Sequence, residues 1–160
     1  MPRIASGDCE VSRVFEQTLI VGWAQTDFNA HLRNSAYLDM CSDVRMLYFE
    51  ANGFSASGFD GQRFGPVVRT DSLQYFREVH LLDRVRVTLR AAGQSEDGSR
   101  WRLQNDFYRP DGALSATVVS NGGWLDLDDR KLRVPPPPIL DAMNRLVRTD
   151  DYEVLPARRR

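Results

Sequence analysis

"TDFNAHLRNSAYLDMCSDVRMLYFEANG", residues 26–53, decides the fold. Its second part changes period from the sequence around it. Tyr37, Met40, Cys41, Val44, Leu47, Tyr48 and Ala51 recur at steps of three and four, which lays one apolar face along a helix over 35–52. Asp39, Asp43 and Glu50 fall on the other side. Asn34 or Ser35 suits the N-cap, because a side-chain oxygen there accepts an otherwise unpaired backbone N–H. Gly53 follows the last periodic residue, where a C′ glycine belongs. The helix has about five turns, and it is the one long helix the sequence offers.

Runs of period two surround it. In "FEQTLIVGW", 15–23, Phe15, Leu19, Val21 and Trp23 share a side. After the glycine-rich "FSASGFDGQRFG", read as a loop, come "DSLQYFREV", "DRVRVTLRA", "SRWRLQNDFY" and "ALSATVVSNGGWLDL". "GQSEDGS" and "RPDG" separate them as turns. The pair Gly122 and Gly123 marks a bulge or bend in the last run. Consecutive hairpin-joined strands form an antiparallel sheet, and a sheet with one apolar face needs a cover. The fold expected is α+β, about five antiparallel strands wrapped around one long central helix. The chain divides into a lead at 1–14, the domain at 15–134, and a segment at 135–160. That last segment holds "PPPP", a short helix in "ILDAMNRLV" and the basic tail Arg158 to Arg160. Four prolines cannot continue a helix or a strand. They read as a strap along the domain in preference to a proline-rich ligand for a partner.

Composition narrows the function. At 160 residues, 42% apolar and 27% charged, the chain is an ordinary globular length and mixture. Its 21 basic and 22 acidic residues give a net charge of −1, against a nucleic-acid-binding surface. Cys9 and Cys41 form neither a disulfide framework nor a metal knuckle. With only His31 and His80, no histidine-rich metal site is expected. "MPRIASGDCEVSR" has no apolar signal core, and no run of about 18 apolar residues crosses a membrane. The expectation is a cytoplasmic location, with no membrane or nucleic-acid partner, no metal and no cofactor.

The order of these motifs resembles the hotdog-fold acyl-CoA thioesterases, and within them the branch named after 4-hydroxybenzoyl-CoA thioesterase. "AHLRNSAYL" is similar to that branch's "GHVNN-x-x-YL", with Asp27 at its acidic position. "LQYFREVHLLDRVRVTLRA" resembles its second and third strands, and "YRPDGALSATVVSNGGWLDLDDRKLRVPP" its closing hairpin. The likeness runs from residue 15 to about 137. Ala30 and Leu82 stand where the branch commonly has glycine, Arg33 where it has the first asparagine, and Glu78 where it has proline. Near Ser42, where many relatives carry a glutamate, only Asp43 is acidic.

The resemblance implies hydrolysis of an acyl-CoA, with coenzyme A part of the substrate. Asp27 would be nucleophile or general base. Backbone N–H groups near Arg33 and Asn34, at the positive end of the helix, would hold the oxyanion. Removing one such donor typically costs about 100- to 1000-fold in rate. His31 and Asn34 complete the catalytic set, and Arg33, Ser35 and Tyr37 the substrate-binding set. Each has a plainer reading. Asp27 suits an Asx turn, His31 a strut, Asn34 a cap, Tyr37 the core, Asp43 a solvated face and Cys41 buried filler. Arg69, Arg77, Arg84, Arg86 and Arg109 are possible phosphate ligands by composition only. Phe28, Phe54, Phe59 and Phe64 suit an aryl or a fatty acyl group. The resemblance also implies a homodimer or tetramer with sites between subunits. Rival readings are a thioesterase acting on acyl-carrier protein and a non-catalytic thioester-binding module. A hotdog hydratase would carry a different His-containing motif.

Overall fold

In the computed structural model, which describes residues 13–157, the alternating runs are strands and the long periodic run is a helix. Cys9 and the Arg158–Arg160 tail lie outside the described residues. β1 (Phe15–Ile20) leads through a single 3₁₀ turn (Trp23–Gln25) to α1 (Asn34–Ala51). Then follow α2 (Ala56–Gly61), β2 (Phe64–Tyr75), β3 (Arg84–Ser95), β4 (Arg100–Tyr108), β5 (Leu114–Asp126), α3 (Pro137–Arg145) and β6 (Arg148–Leu155). The sheet order is β1-β3-β4-β5-β2, with neighbours along that path antiparallel. α1 packs across β3, β1 and β5. This is the expected α+β hotdog arrangement of one sheet around one central helix.

Several expectations change in detail. Among the described residues the sheet holds the five antiparallel strands of that path and a sixth, β6, beside β3. One edge of β3 is shared, β1 pairing with its residues 84–89 and β6 running parallel beside 91–95. The glycine-rich stretch is not all loop, since α2 occupies part of it and β2 starts at Phe64. α3 begins on the prolines themselves, because a helix's first positions need no N–H donor. It buries Ile139, Ala142 and Met143, and the Tyr48 hydroxyl on α1 donates to the Ala142 carbonyl.

The buried face of α1 is rotated from the one the spacing predicts. Leu47 is 42% exposed and Ala51 is exposed, while Arg45 and Phe49 are buried with Tyr37, Met40, Cys41, Val44 and Tyr48. Rings fill the space between helix and sheet. Phe49 and Phe64 both meet Trp124 at centroid distances of 5.6 and 5.9 Å, and Tyr37 meets Phe107 at 5.0 Å. Each such pair adds about 0.5–1.5 kcal/mol beyond the area it buries. Cys41 sits among them, and burial, opposed by the nearby Arg45 charge, pushes its thiol up to about 12. A thiol so protonated is packing and not a nucleophile.

The glycine pair has a steric cause. A Cβ on Gly122 would stand 2.2 Å from the Val67 carbonyl oxygen and 2.5 Å from the Trp101 ring. The bulge the pair suggested lies opposite it, in β2 between Val68 and Thr70.

Candidate active site

The loop entering α1 is built on one carboxylate. The Asp27 N–H donates to the His31 carbonyl at 2.8 Å, and the Ala30 N–H to the Asp27 carbonyl at 3.0 Å. Asp27 Oδ1 then accepts the N–H groups of Asn29 at 2.9 Å and His31 at 3.1 Å. The Asx-turn reading is therefore correct for one oxygen. These bonds fix the side chain and leave Oδ2 out of the turn. The loop is stitched to the segment before β3, by Leu32 N–H to Val79 carbonyl at 2.8 Å and Leu81 N–H to Ala30 carbonyl at 3.0 Å. His31 and His80 face each other across this seam, ring centroids 4.8 Å apart.

Ala30 and Leu82, the two residues standing where glycine is common, have φ of 59° and 67°. Both are exposed, Leu82 at 72%. The left-handed region strains an L residue by about 1–2 kcal/mol, more than the roughly 0.5–1 kcal/mol of chain entropy that glycine brings. Ala30→Gly and Leu82→Gly are each expected to raise stability by about 0.5–1 kcal/mol. The urea midpoint reads this directly, and a lowered midpoint in either variant would contradict the strain assigned to that turn.

The helix start differs from expectation. Arg33, not Asn34 or Ser35, is the N-cap, with φ −69° and ψ 153°, and no side chain caps the helix. Asn34 Oδ1 accepts the Ser35 N–H at 2.8 Å instead. The Arg33 N–H is already committed to the Gln25 carbonyl at 2.9 Å. Of the two backbone donors expected for an oxyanion, only that of Asn34 is left without a bond among the described residues.

Asp27, His31, Asn34 and Tyr37 line one cavity of about 430 Å³. Arg33 and Ser35 are exposed and outside its lining, and Asp43 is exposed on the far face of α1. The opposite wall comes from the end of β2 and the residues after it: Tyr75, Phe76, Arg77 and Glu78. Periodicity placed Tyr75 in a strand but could not say that this strand ends against the start of α1. Tyr37 is mostly a core residue, as its plainer reading had it. Its ring meets Tyr75 at 5.3 Å, and its hydroxyl lies 3.4 Å from Ser115 Oγ. Burial raises its hydroxyl above the ordinary tyrosine value, so it is neutral and positions its neighbours. Glu78, fully exposed, is held ionised below the usual carboxylate range by its own backbone N–H, helped by His31, Arg109 and His80.

Among the described residues no group of three or more His, Cys, Asp or Glu is placed to hold a metal ion, and no helix is long and apolar enough to cross a membrane.

The profile of one family, the Thioesterase-like superfamily, matches residues 21–143. Among curated proteins there is no match. Many solved structures share the fold. A hypothetical protein from Staphylococcus aureus, solved in complex with CoA, aligns at a TM-score of 0.75 and 20% identity over 92% of this chain and 89% of that one. A 1,4-dihydroxy-2-naphthoyl-CoA thioesterase from Synechocystis aligns at 0.74 and 19% over 82% and 96%. A DHNA-CoA thioesterase from Staphylococcus aureus aligns at 0.75 and 17% over 82% and 89%.

Proposed function

We propose, from the premise that this chain belongs to the Thioesterase-like superfamily, that it hydrolyses an acyl-CoA to a carboxylic acid and free coenzyme A at the cavity beside Asp27. One observation carries the reading. The turn bonds that immobilise Asp27 use Oδ1, so Oδ2 is left for chemistry, and Asn34, the first residue of the helix, lines the same cavity.

Thioester hydrolysis needs a base or nucleophile on the carbonyl carbon and a donor for the oxyanion. Oδ2 of Asp27 supplies the first. It takes a proton from a water that attacks the carbonyl carbon, and the coenzyme A thiolate departs and takes up that proton; or it attacks the carbon itself and expels the thiolate, and water then opens the resulting mixed anhydride to release the acid and restore the carboxylate. The Asn34 N–H, reinforced by the positive end of α1, supplies the second. His31 braces the turn through its backbone and lines the cavity, its ring beside that of His80. Arg77, exposed on the cavity rim, is the arginine of the original five best placed to meet a phosphate of the nucleotide. Arg86 is occupied, paired with Glu16 at 3.0 Å and stacked on Tyr108 at 4.1 Å. Thiol release from a panel of acyl-CoAs tests the activity. A wild-type protein inert towards every member of a chain-length and aryl series would refute it.

The outer edge of β2 has no partner strand among the described residues, over 12 residues that are mostly exposed. An open edge of that length invites a second chain. We propose a homodimer or a dimer of dimers with this edge inside it. Light scattering is expected to show at least twice the 18.3 kDa of one chain. A species of one chain's mass only, at micromolar concentration, would rule this out.

A further inference from the structure

A second cavity, of about 140 Å³, opens in the same cleft between α1 and β2 but nearer the far end of the helix. Met46, Phe49, Trp101 and Trp124 make it apolar, and Ser42 is exposed at its edge. Pro66 and Val68 of β2 close one side, as Tyr75 does at the catalytic end. A hole of roughly 150 Å³ with such walls accommodates a ring or a short run of methylenes.

The wall also holds a buried cation. Arg45 is 8% exposed, and its guanidinium lies 5.9 Å from the centre of the Trp101 ring. Nη2 donates to Asn105 Oδ1 at 3.0 Å and to Ser120 Oγ. Ser120 passes a hydrogen bond on to Asp71, so the nearest carboxylate reaches Arg45 only through a hydroxyl. Among the described residues Arg45 makes no ion pair, and its Nε has no hydrogen-bond partner; nor has Trp101 Nε1. Both groups donate only. A packed core gains nothing by burying a cation and two unanswered donors, because each such group forfeits its hydration.

We infer that this cavity receives the far end of the acyl group, and that the Arg45 guanidinium selects chains ending in an oxygen acceptor over plain hydrocarbon chains. The inference rests on the acyl-CoA reading and names the substrate class for it. Arg45 sits roughly 16 Å along the helix axis from Asn34, at 1.5 Å of rise per residue. A zigzag chain advances roughly 1.25 Å per bond, so about a dozen carbons span about 14 Å, and the terminal oxygen with its hydrogen bond covers the remainder. The substrate class is therefore a medium-length acyl chain bearing a terminal carboxylate or hydroxyl. An acceptor there meets the guanidinium charge of Arg45, which lines the cavity and has no ion-pair partner among the described residues, whereas a methyl terminus leaves that charge unanswered.

Binding is measured apart from turnover by the fluorescence of the lining tryptophans. The ligands are dodecanedioate, 12-hydroxydodecanoate and dodecanoate, each as the methyl ester of the carboxyl that the thioester would replace so that they differ only at the far terminus, and the matching CoA thioesters are assayed in parallel by thiol release. Either oxygenated ligand is expected to bind about ten- to a hundredfold tighter than dodecanoate, the worth of one hydrogen bond to a charged group. The two arms show whether a carboxylate or a hydroxyl is the natural terminus. Equal binding, or tighter binding of dodecanoate, overturns the inference. Arg45→Met is expected to erase the preference but also strips donors from Asn105 and Ser120. Ser42→Phe, on the exposed helix surface, fills the cavity without touching that network and is expected to erase it as well. A preference that survives in a folded Ser42→Phe variant would place the ligand elsewhere. If the oxygen preference appears in binding and no thioester is cleaved, the hydrolase reading fails and the pocket assignment stands.

Discussion

Asp27→Asn is expected to slow thiol release from the preferred acyl-CoA by about 100- to 10,000-fold, the usual contribution of a positioned acid or base. The fold is expected to be untouched. The amide oxygen of the replacement can still accept the N–H groups of Asn29 and His31 that now meet Oδ1. What it cannot do is bring a negative oxygen to the carbonyl carbon. Asp27→Ala removes both the chemistry and the turn bonds, so it should also lower the melting temperature, by a loss of about 1–2 kcal/mol. The pair separates the two roles of the residue. An asparagine variant as active as wild type, at unchanged substrate affinity, would mean that Asp27 serves only as a turn former. A variant that loses only affinity, with kcat retained, would mean it binds substrate without acting on it.

The largest expected effect on stability is at Gly122. Any side chain there collides with backbone on one side and an indole on the other, with the Val67 carbonyl oxygen 2.2 Å and the Trp101 ring 2.5 Å from the new Cβ. Even if the Trp101 ring shifts towards the cavity it lines, the Val67 carbonyl oxygen is backbone and cannot turn away. β2 must move instead, and its pairing with β5 beside the bulge at Val68 and Thr70 would open. Gly122→Ala is expected to destabilise by about 3 kcal/mol, the upper range for overpacking, and to loosen the edge proposed for dimerisation. Chemical denaturation gives the first number and light scattering the second. A variant as stable as wild type would show that the close approach is not rigid. Gly61, with open space around its Cβ position, is the natural control.

The elements legible in the sequence were those whose local pattern agrees with their tertiary surroundings. α1 has apolar residues at helical spacing and Gly53 just past its end, where φ is 82°. β3 over Arg84–Val87 and β4 over Arg100–Asn105 alternate because there one face of each is buried and the other is not. β6 escaped notice because "RTDDYEVL" is an edge strand in which only Thr149 and Leu155 are buried. Its place comes from the free half of β3's edge, which no local pattern reports. The first half of β2 was hidden by Gly65 and Pro66, residues that read as loop. Arg45 was invisible for a different reason. A charge on a helix counts as solvated until Asn105 and Ser120, 60 and 75 residues away in the chain, are seen to reach it.

The loop at Asp27 was legible as a place but not as a geometry. That Asp27 and the helix start belong together follows from their nearness in sequence. That the Arg33 N–H is consumed by Gln25, leaving Asn34 as donor, depends on a bond between loop and 3₁₀ turn that neither composition nor spacing specifies. The β2 wall, Tyr75 to Glu78, is likewise a product of topology.

The central claim is that a thioester is cleaved between Asp27 and the start of α1. Its most direct test is a crystal structure of the Asp27→Asn variant with an intact acyl-CoA. The account predicts the thioester carbonyl oxygen within about 2.7–3.1 Å of the Asn34 N–H, with the carbonyl carbon facing the side chain at position 27. A thioester seated away from that N–H, or turned so that position 27 faces only solvent, would contradict it.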